Sequence, residues 1–231
     1  MATSCRKSRR IGDPVSALDW SPLWLSLRVA GWATVFSVLL GLPLAFLLGR
    51  VRFPGRSLLE GIALLPLVLP PTVLGYALLV GLGRRGAVGA WLDRVHHPLI
   101  FTWQGAVVAA CIASLPLFVT QARVALGAVD PDVLAAARTD GAGFWQVGLF
   151  ILLPLARPGL VAGTTLAFAR ALGDFGATLM VAGDTPGQTQ TMPLALYDAV
   201  LSGDTHSAAV FAALSAALCL TVCVLAARLG R

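Results

Sequence analysis

Long apolar runs without alternation divide this chain into five segments, at about residues 22–48, 58–82, 105–126, 160–181 and 207–227. Each run is long enough for a helix that crosses a bilayer, which needs about 20 apolar residues. A strand of a membrane barrel would instead alternate apolar and polar positions. The pattern therefore predicts an all-α integral membrane protein with about five transmembrane helices, or six if a re-entrant segment is hidden among them.

Prolines interrupt the second of these runs. Pro66, Pro70 and Pro71 fall within the sequence LLPLVLPP. Proline lacks the backbone N–H and clashes with the preceding turn of a helix, so this span is predicted to kink or break.

The composition supports a membrane protein and excludes other classes. Of the 231 residues, 57% are hydrophobic and 12% are charged, which is about half the charged share of a soluble domain. Residues 1–20 form a polar, basic tail, and residues 21–231 form one transmembrane domain with no room for a soluble catalytic domain. The phosphate-cradling motif G-x-x-x-x-G-K-[ST] does not occur, so this chain is not expected to hydrolyse ATP.

The net charge of +6 comes mainly from arginines at the ends of the apolar runs, which is typical of membrane topology rather than of nucleic-acid binding. The positive-inside rule favours a cytoplasmic position for residues 49–57, residues 121–158 and the C-terminus. Residues 83–104 and 183–206 then lie outside. The basic N-terminal tail also lies outside, against the rule, unless the true start is downstream or a re-entrant segment reverses the count.

The clearest local helix signals lie in a predicted cytoplasmic loop, residues 128–159. Asp130 can cap a helix, and Pro131 suits the first helical position. Gly141 is suited to end the helix. The run Ala135–Ala137 leaves one flank nearly bare, so the backbone can seat closely in a groove of another protein.

Two large aromatic residues follow this helix. Phe144 and Trp145 are predicted to be exposed, which is unusual unless they meet a partner. A plain polar loop between two membrane helices explains the same features. The residues alone do not decide between a docking segment and such a loop.

Two opposite charges lie in the fourth apolar run. Arg170 and Asp174 are four residues apart and therefore share one face of a helix. A charge in the membrane interior costs about 3 kcal/mol, so each must meet a partner group or water. One interpretation is a mutual ion pair that ties helices together. The other is a polar pathway, which Thr178 and the small residues around it would line.

The other candidates for chemistry are weaker. Cys219 and Cys223 lie one helical turn apart, but a metal site needs more ligands than the sequence places near them. His96 and His97 are adjacent and diverge on any regular element. The sequence therefore predicts no catalytic residue, no metal site and no cofactor. The loop GDTPGQTQTMP at 183–193 lacks positive charge and is a candidate contact for a delivering protein.

Several motifs together resemble one family. The segments AAARTDGAGFWQV and LPLARPG, from Ala135 to Gly159, resemble the coupling loop of ABC importer permeases. Five further stretches are similar to the molybdate permease subunits: FPGR at 53–56, LPLVLPPTVLGY at 65–76, GRRG at 83–86, FARALGDFGAT at 168–178 and PGQTQTMP at 186–193. The resemblance covers about residues 22–227 and implies the permease subunit of an importer of molybdate or tungstate.

The resemblance implies a type I ABC importer permease bundle with a cytoplasmic coupling helix. It also implies a homodimer of this chain, two copies of a cytoplasmic ABC ATPase, an external oxyanion-binding protein, and a multi-pass position among the lipids of the bacterial inner membrane, without nucleic acid. The residues expected to contact the ATPase are Leu134, Ala135, Ala136, Arg138, Thr139, Asp140, Gly141, Ala142, Phe144 and Trp145. The residues expected along the pathway are Pro70, Pro71, Arg170, Asp174 and Thr178.

Three positions depart from the pattern of the family. Leu134 stands where an acidic residue is usual, Asp140 where an apolar residue is common, and Asp174 where a glutamate is usual. The first two bear on the contacts with the ATPase, whereas Asp174 keeps the charge. A sulfate or thiosulfate permease with the same mechanism is the alternative. A stand-alone ion-coupled transporter would use Arg170 and Asp174 as a relay, but such proteins usually have more helices and a two-fold repeat.

Overall fold

The computed structural model describes residues 19–51, 53–83, 86–94 and 99–229. The tail up to residue 18, the His96–His97 pair, and the arginines Arg52, Arg84, Arg85 and Arg231 lie outside these ranges. All regular structure within them is helical, which confirms the all-α prediction. The helices are α1 (Ser21–Arg50), α2 (Arg56–Val68), α3 (Pro71–Leu82), α4 (Ala87–Arg94), α5 (Trp103–Gly127), α6 (Pro131–Thr139), α7 (Phe144–Gln146), α8 (Leu153–Leu172), α9 (Gly176–Ala182), α10 (Met192–Leu201) and α11 (Thr205–Leu229).

The chain crosses the membrane region five times, as predicted. Among the described residues, four helical stretches are long and apolar enough to span a membrane alone, and α2 and α3 form a further pair bent by 111°. The ends of α1 and α5 meet, because the Arg50 Nη2 donates a hydrogen bond of 2.8 Å to the carbonyl of Val129. Since α5 must then begin at the opposite end of the bundle, the α2–α3 pair carries the chain across as one broken span.

The bend between α2 and α3 follows from consecutive prolines. Leu69 precedes Pro70, and Pro70 precedes Pro71; Leu69 and Pro70 adopt extended ψ values of 140° and 136°. A residue before proline is excluded from the helical region by clash with the proline ring. Pro71 then occupies the first position of α3, where its missing N–H costs nothing. The predicted break of the second span is therefore confirmed.

The predicted bounds of the fourth span, residues 160–181, are wrong. One helical stretch of 29 residues runs from Phe144 to Leu172, and the chain then breaks before it resumes as α9. Arg157 and Pro158 favour a loop when they are considered in isolation. In the structure both lie within α8, and Arg157 is exposed on its side.

The start of this stretch contains a π-helix, Val147–Leu152. The N–H of Leu153 bonds to the carbonyl of Gly148, five residues earlier. Pro154 follows, and in a regular α-helix its ring would clash with the carbonyl of Phe150. The wider π-helical turn relieves this clash, so the stretch continues through the proline.

Short helices occupy parts of the two loops predicted to lie outside. Residues 83–104 contain α4, and residues 183–206 contain α10. The sequence offers no sign of a helix in residues 183–206, so α10 was not predicted. α10 has only 10 residues, which is too few to cross a bilayer. Periodicity in so short an apolar run does not distinguish a helix from other buried structure.

The core lies between α1, α5 and α8, with α5 at its centre. In the most apolar part of α5, 67% of residues are buried within the chain, against 6% in α11, which is peripheral. Small residues let α1 and α5 approach closely. The hydroxyl oxygens of Ser37 and Ser114 lie 3.0 Å apart across the contact, and a Cβ added to Gly41 would overlap the ring of Phe118.

Candidate functional site

The predicted coupling helix exists as α6, and its ends follow from the local sequence. The Asp130 Oδ1 accepts a hydrogen bond of 2.9 Å from the N–H of Asp132, and Pro131 occupies the first helical position. At the other end, Gly141 adopts a φ of +90°. Its N–H donates to the carbonyl of Arg138 at 3.1 Å. The local prediction of a capped helix that ends at a glycine is confirmed.

Most residues predicted to contact an ATPase lie on the surface of this helix and of the turn after it. Ala142 is half-buried, and the exposed members are Ala135, Ala136, Arg138, Thr139, Asp140 and Gly141. Leu134 differs, because it is only 7% exposed and packs in a core cluster with Ala45 and Leu48 of α1. Leu134 therefore anchors α6 to the bundle in this conformation. Val133 beside it stays 45% exposed, so the sequence alone does not indicate which of these two apolar residues packs inward.

The aromatic pair after α6 is exposed, as predicted. Phe144 is 59% exposed and Trp145 is 75% exposed. The Phe144 ring packs edge-on against the ring of Phe46 on α1, with centroids 6.0 Å apart. This contact fixes the start of α7 against the bundle, and the Trp145 indole packs edge-on against Phe144 with its other side exposed.

Two polar contacts at this end of the bundle were not predicted. Arg50 on α1 holds the carbonyl of Val129, just before α6. Arg123 on α5 forms an ion pair with Glu60 on α2. The sequence feature that could have indicated the second contact is Glu60, an isolated acidic residue near the start of the second apolar run. The first contact ties the segment that enters α6 to α1, and the second ties α5 to α2.

A surface groove of about 290 Å³ lies beside the start of α6. It runs between the end of α5, the first turn of α6 and one side chain of α8, and its lining consists of Ala125, Ala128, Val129, Asp130, Val133 and Leu155. Its side chains are aliphatic except for the Asp130 carboxylate, and main-chain polar groups also face it. The exposed face of residues 128–145 therefore combines an open groove, bare alanines and a large aromatic side chain.

The charges of the fourth apolar run form an ion pair within the chain. The Arg170 Nη1 donates a hydrogen bond of 3.0 Å to the Asp174 Oδ1. The Asp174 Oδ2 accepts from the N–H of Thr178 at 3.0 Å and from its hydroxyl at 2.8 Å. Asp174 is 2% exposed, and it lies in the break after α8 rather than on the helix. The carboxylate thus neutralises the guanidinium and also caps the first turn of α9.

The structure brings the two helix breaks together. A Cβ added to Gly176 would lie 2.9 Å from the Cβ of Pro71, and one added to Gly75 would lie 2.9 Å from the Cα of Ala177. The first turns of α3 and α9 therefore touch through glycines, where no side chain fits. Four predicted pathway residues, Pro71, Arg170, Asp174 and Thr178, lie around this contact, and Pro70 is exposed next to it.

The loop between α9 and α10 is divided into an exposed and a buried part. Asp184 through Gln188 are exposed, whereas Thr189, Gln190 and Thr191 are buried. Partial desolvation of the Asp184 carboxyl and the nearby Asp198 raise its pKa, although a hydrogen bond from Gln190 opposes the shift. Of the loop 183–193, which is predicted to contact a delivering protein, residues Asp184 to Gln188 are the continuous exposed stretch.

The described part of the chain has no group of three or more His, Cys, Asp or Glu residues close enough to hold a metal ion. Cys111 is buried, and its Sγ lies 3.6 Å from the Ser37 hydroxyl in the contact between α1 and α5. Cys219 packs against the core that α1 and α5 form. These cysteines serve the packing of helices.

Five spans, of which the second is broken at Pro70 and Pro71, together with an exposed capped helix between the third and the fourth, form the fold of type I ABC importer permeases. The structure of the MetNI methionine ABC transporter has the same fold, with a TM-score of 0.75 and 20% identity over 96% of this chain and 98% of that chain. Its sequence identity is low, so this likeness establishes the fold alone.

The sequence identifies the family. Residues 41–231 match the family described as binding-protein-dependent transport system inner membrane component, and this chain belongs to it. Its place in the inner membrane, as a permease subunit rather than an enzyme, follows from that membership.

Three relatives in this family show where the sequence lies within it. The molybdenum transport system permease protein of Escherichia coli K12 is 45% identical over 92% of this chain and 94% of that protein. A putative molybdenum transport permease of Bacillus subtilis is 43% identical over 82% of this chain and 85% of that protein. The sulfate transport system permease protein CysT of Escherichia coli K12 is 35% identical over 94% of this chain and 84% of that protein.

Proposed function

We propose that this chain is the permease subunit of an ATP-driven importer of molybdate or tungstate. The observation that carries the proposal is the match, over nearly the whole chain, to molybdenum transport permeases, which is closer than the match to the sulfate permease. The proposed permease domain comprises residues 21–231, preceded by a polar tail, with residues 128–159 as its coupling loop. The exposed groove and aromatic side chain of that loop support a role in docking.

The proposed assembly is a homodimer of this chain bound to two copies of a cytoplasmic ABC ATPase, with an external oxyanion-binding protein that delivers the substrate. The ATPase would receive α6 in a groove, where the bare flank of Ala135 and Ala136 allows close approach. Trp145 would supply the large contact area that typically dominates such interfaces. Closure of the ATPase pair by ATP then moves α6, and the bundle responds as a rigid body.

The proposed pathway runs past the contact between the two helix breaks. Arg170 provides positive charge for an oxyanion, while the Asp174 carboxylate keeps that charge partly neutralised. A pathway must hold its substrate weakly enough to release it. The pair therefore fits brief contact with a passing anion better than a tight binding site, and the buried hydroxyl of Thr178 holds the Asp174 carboxylate in place.

The substrate assignment is tested by uptake of labelled molybdate into proteoliposomes that contain the complete transporter, with unlabelled sulfate in large excess. We expect uptake to require ATP and to persist in the presence of sulfate. The matched control is uptake of labelled sulfate with molybdate in excess. Inhibition of molybdate uptake by the excess sulfate would support a sulfate permease instead. Uptake without the ATPase subunit would indicate a stand-alone transporter and contradict the proposal.

A further inference from the structure

Helix α1 is bonded at both of its ends to other functional segments. It is 30 residues long, which corresponds to about 45 Å at 1.5 Å per residue. One end meets the coupling segment through Arg50, and the other end meets the start of α10 through Ser26. These two residues are about 36 Å apart along the helix by the same rise. No other helix among the described residues has side-chain hydrogen bonds to both of these segments.

At the coupling end, the last turn of α1 holds the segment around α6 at three points. The Arg50 Nη2 donates to the carbonyl of Val129 at 2.8 Å, immediately before α6. Leu48 packs in the same core cluster as Leu134 of α6. Phe46 meets the ring of Phe144 just after the turn that follows α6. A displacement of α6 therefore acts on α1 from both sides of the coupling helix.

At the opposite end, α1 supplies a cap that α10 lacks. Thr191 precedes α10 but makes no side-chain cap bond to it. The N–H of Met192 instead donates a hydrogen bond of 2.7 Å to the Ser26 Oγ, and both residues are almost fully buried. The first N–H groups of a helix have no partner within the helix. The position of the start of α10, and of the exposed loop before it, thus depends on α1.

Between its ends, α1 is held closely against α5. Contacts recur along its length: the hydroxyls of Ser37 and Ser114 are 3.0 Å apart, Gly41 faces Phe118, and a Cβ on Gly49 would lie 3.3 Å from the carbonyl oxygen of Arg123. Packed elements of this kind shift as units rather than deform continuously. A displacement at one end of α1 is therefore expected to reach the other.

We propose that α1 transmits the movement of the coupling segment to α10 on the other side of the membrane, with Arg50 and Ser26 as positioning residues. This inference rests on the proposed function, because it requires a motor that moves α6. It links that motor to the exposed loop at 184–188, where a delivering protein would dock. The movement of the ATPase and the release of substrate by the delivering protein would then share one rigid connection.

The test measures molybdate transported per ATP hydrolysed, in proteoliposomes with the complete transporter and a loaded binding protein. We expect Arg50→Gln to lower this ratio about tenfold and Ser26→Ala about fivefold. The double variant is expected to be no worse than Arg50→Gln alone, because both residues act through one helix. Arg50→Lys, which keeps a donor for Val129, is expected to recover part of the ratio.

Two variants serve as matched controls. Arg228→Gln removes an exposed arginine at the end of α11, and Ser215→Ala removes a hydroxyl whose bond, to Phe211, lies within its own helix. Both are expected to keep the wild-type ratio. If Arg50→Gln prevents assembly with the ATPase, the ratio measured for Ser26→Ala tests the inference, because Ser26 lies at the end of α1 far from the segment proposed to contact the ATPase.

Three outcomes would overturn the inference or its basis. A wild-type ratio in both Ser26→Ala and Arg50→Gln would show that α1 transmits nothing. If the double variant lowers the molybdate transported per ATP by the product of the two single reductions, the two residues act independently. ATP hydrolysis by the wild-type complex without any molybdate transport would instead contradict the proposed function. This result is distinguished from a failure of the inference about α1 because it is observed in the wild-type complex, without any variant.

Discussion

Replacement of Asp174 with alanine is expected to abolish ATP-driven uptake of molybdate and to destabilise the bundle by about 3 kcal/mol. The change would leave the Arg170 guanidinium without its carboxylate, and the N–H and hydroxyl of Thr178 without their acceptor. Loss of one partner of a buried pair costs about 3–5 kcal/mol. We expect the lower end, because the Arg170 side chain is 26% exposed and water partly screens its charge. Uptake assays and thermal unfolding of the purified transporter measure the two effects.

Two further variants separate the pathway role of this pair from a structural one. Asp174→Glu keeps the charge and is expected to keep most of the uptake. Removal of both charges, by Arg170→Ala with Asp174→Ala, is expected to restore much of the thermal stability because no unpaired charge remains. Uptake should stay low in that double variant. If uptake returns together with stability, the pair is structural, and the proposed pathway does not use it.

Substitution of Gly141 by valine is expected to uncouple ATP hydrolysis from uptake. The φ of Gly141 is +90°, and no described atom lies within 4 Å of a Cβ placed there. The cost of the change is therefore backbone strain, about 1–2 kcal/mol, rather than a clash. That strain displaces the end of α6 in the segment proposed to contact the ATPase. We expect hydrolysis to continue and the molybdate transported per ATP to fall about tenfold.

Two glycines provide matched controls for this prediction. Gly203 has a φ of +77° and no neighbour within 4 Å, so Gly203→Val introduces the same kind of strain away from the coupling segment. Gly127 lies at the end of α5 with open space and no positive φ, so Gly127→Ala tests added volume near α6. Both are expected to keep the coupling ratio. Normal uptake by the Gly141→Val transporter would count strongly against a docking role for this turn.

The parts of the fold that local chemistry determines could be predicted from the sequence. The α6 caps depend on Asp130, Pro131 and Gly141, whose effects act within a few residues. The break before α3 depends on Pro70 and Pro71 in the same way. The exposure of Trp145 followed from its place in a polar stretch. In each case the cause and the structural effect lie within one turn of helix.

Features that depend on distant partners could not be predicted. The start of α10 is capped by Ser26, which is 166 residues away along the chain. Leu134 reads as a surface residue until α1 is placed beside it. The fourth span was placed too late because the wide turn before Pro154 is not apparent from hydropathy. The placement of Asp174 beyond α8, as a cap for α9, likewise requires the break after Leu172 to be known.

The most direct test of the account is a cross-link from α6 to the ATPase. With the native cysteines replaced, Ala136→Cys places one thiol on the exposed face of α6, and Ala209→Cys places one on the exposed side of α11 near the opposite end of the bundle. In membrane vesicles of known orientation, we expect the Ala136→Cys thiol to be labelled from the cytoplasmic side and to cross-link to the ATPase subunit. The Ala209→Cys thiol is expected neither to be labelled from that side nor to cross-link. Labelling of the Ala136→Cys thiol from the outer side, or protection of that thiol by lipid with no cross-link, would contradict the account.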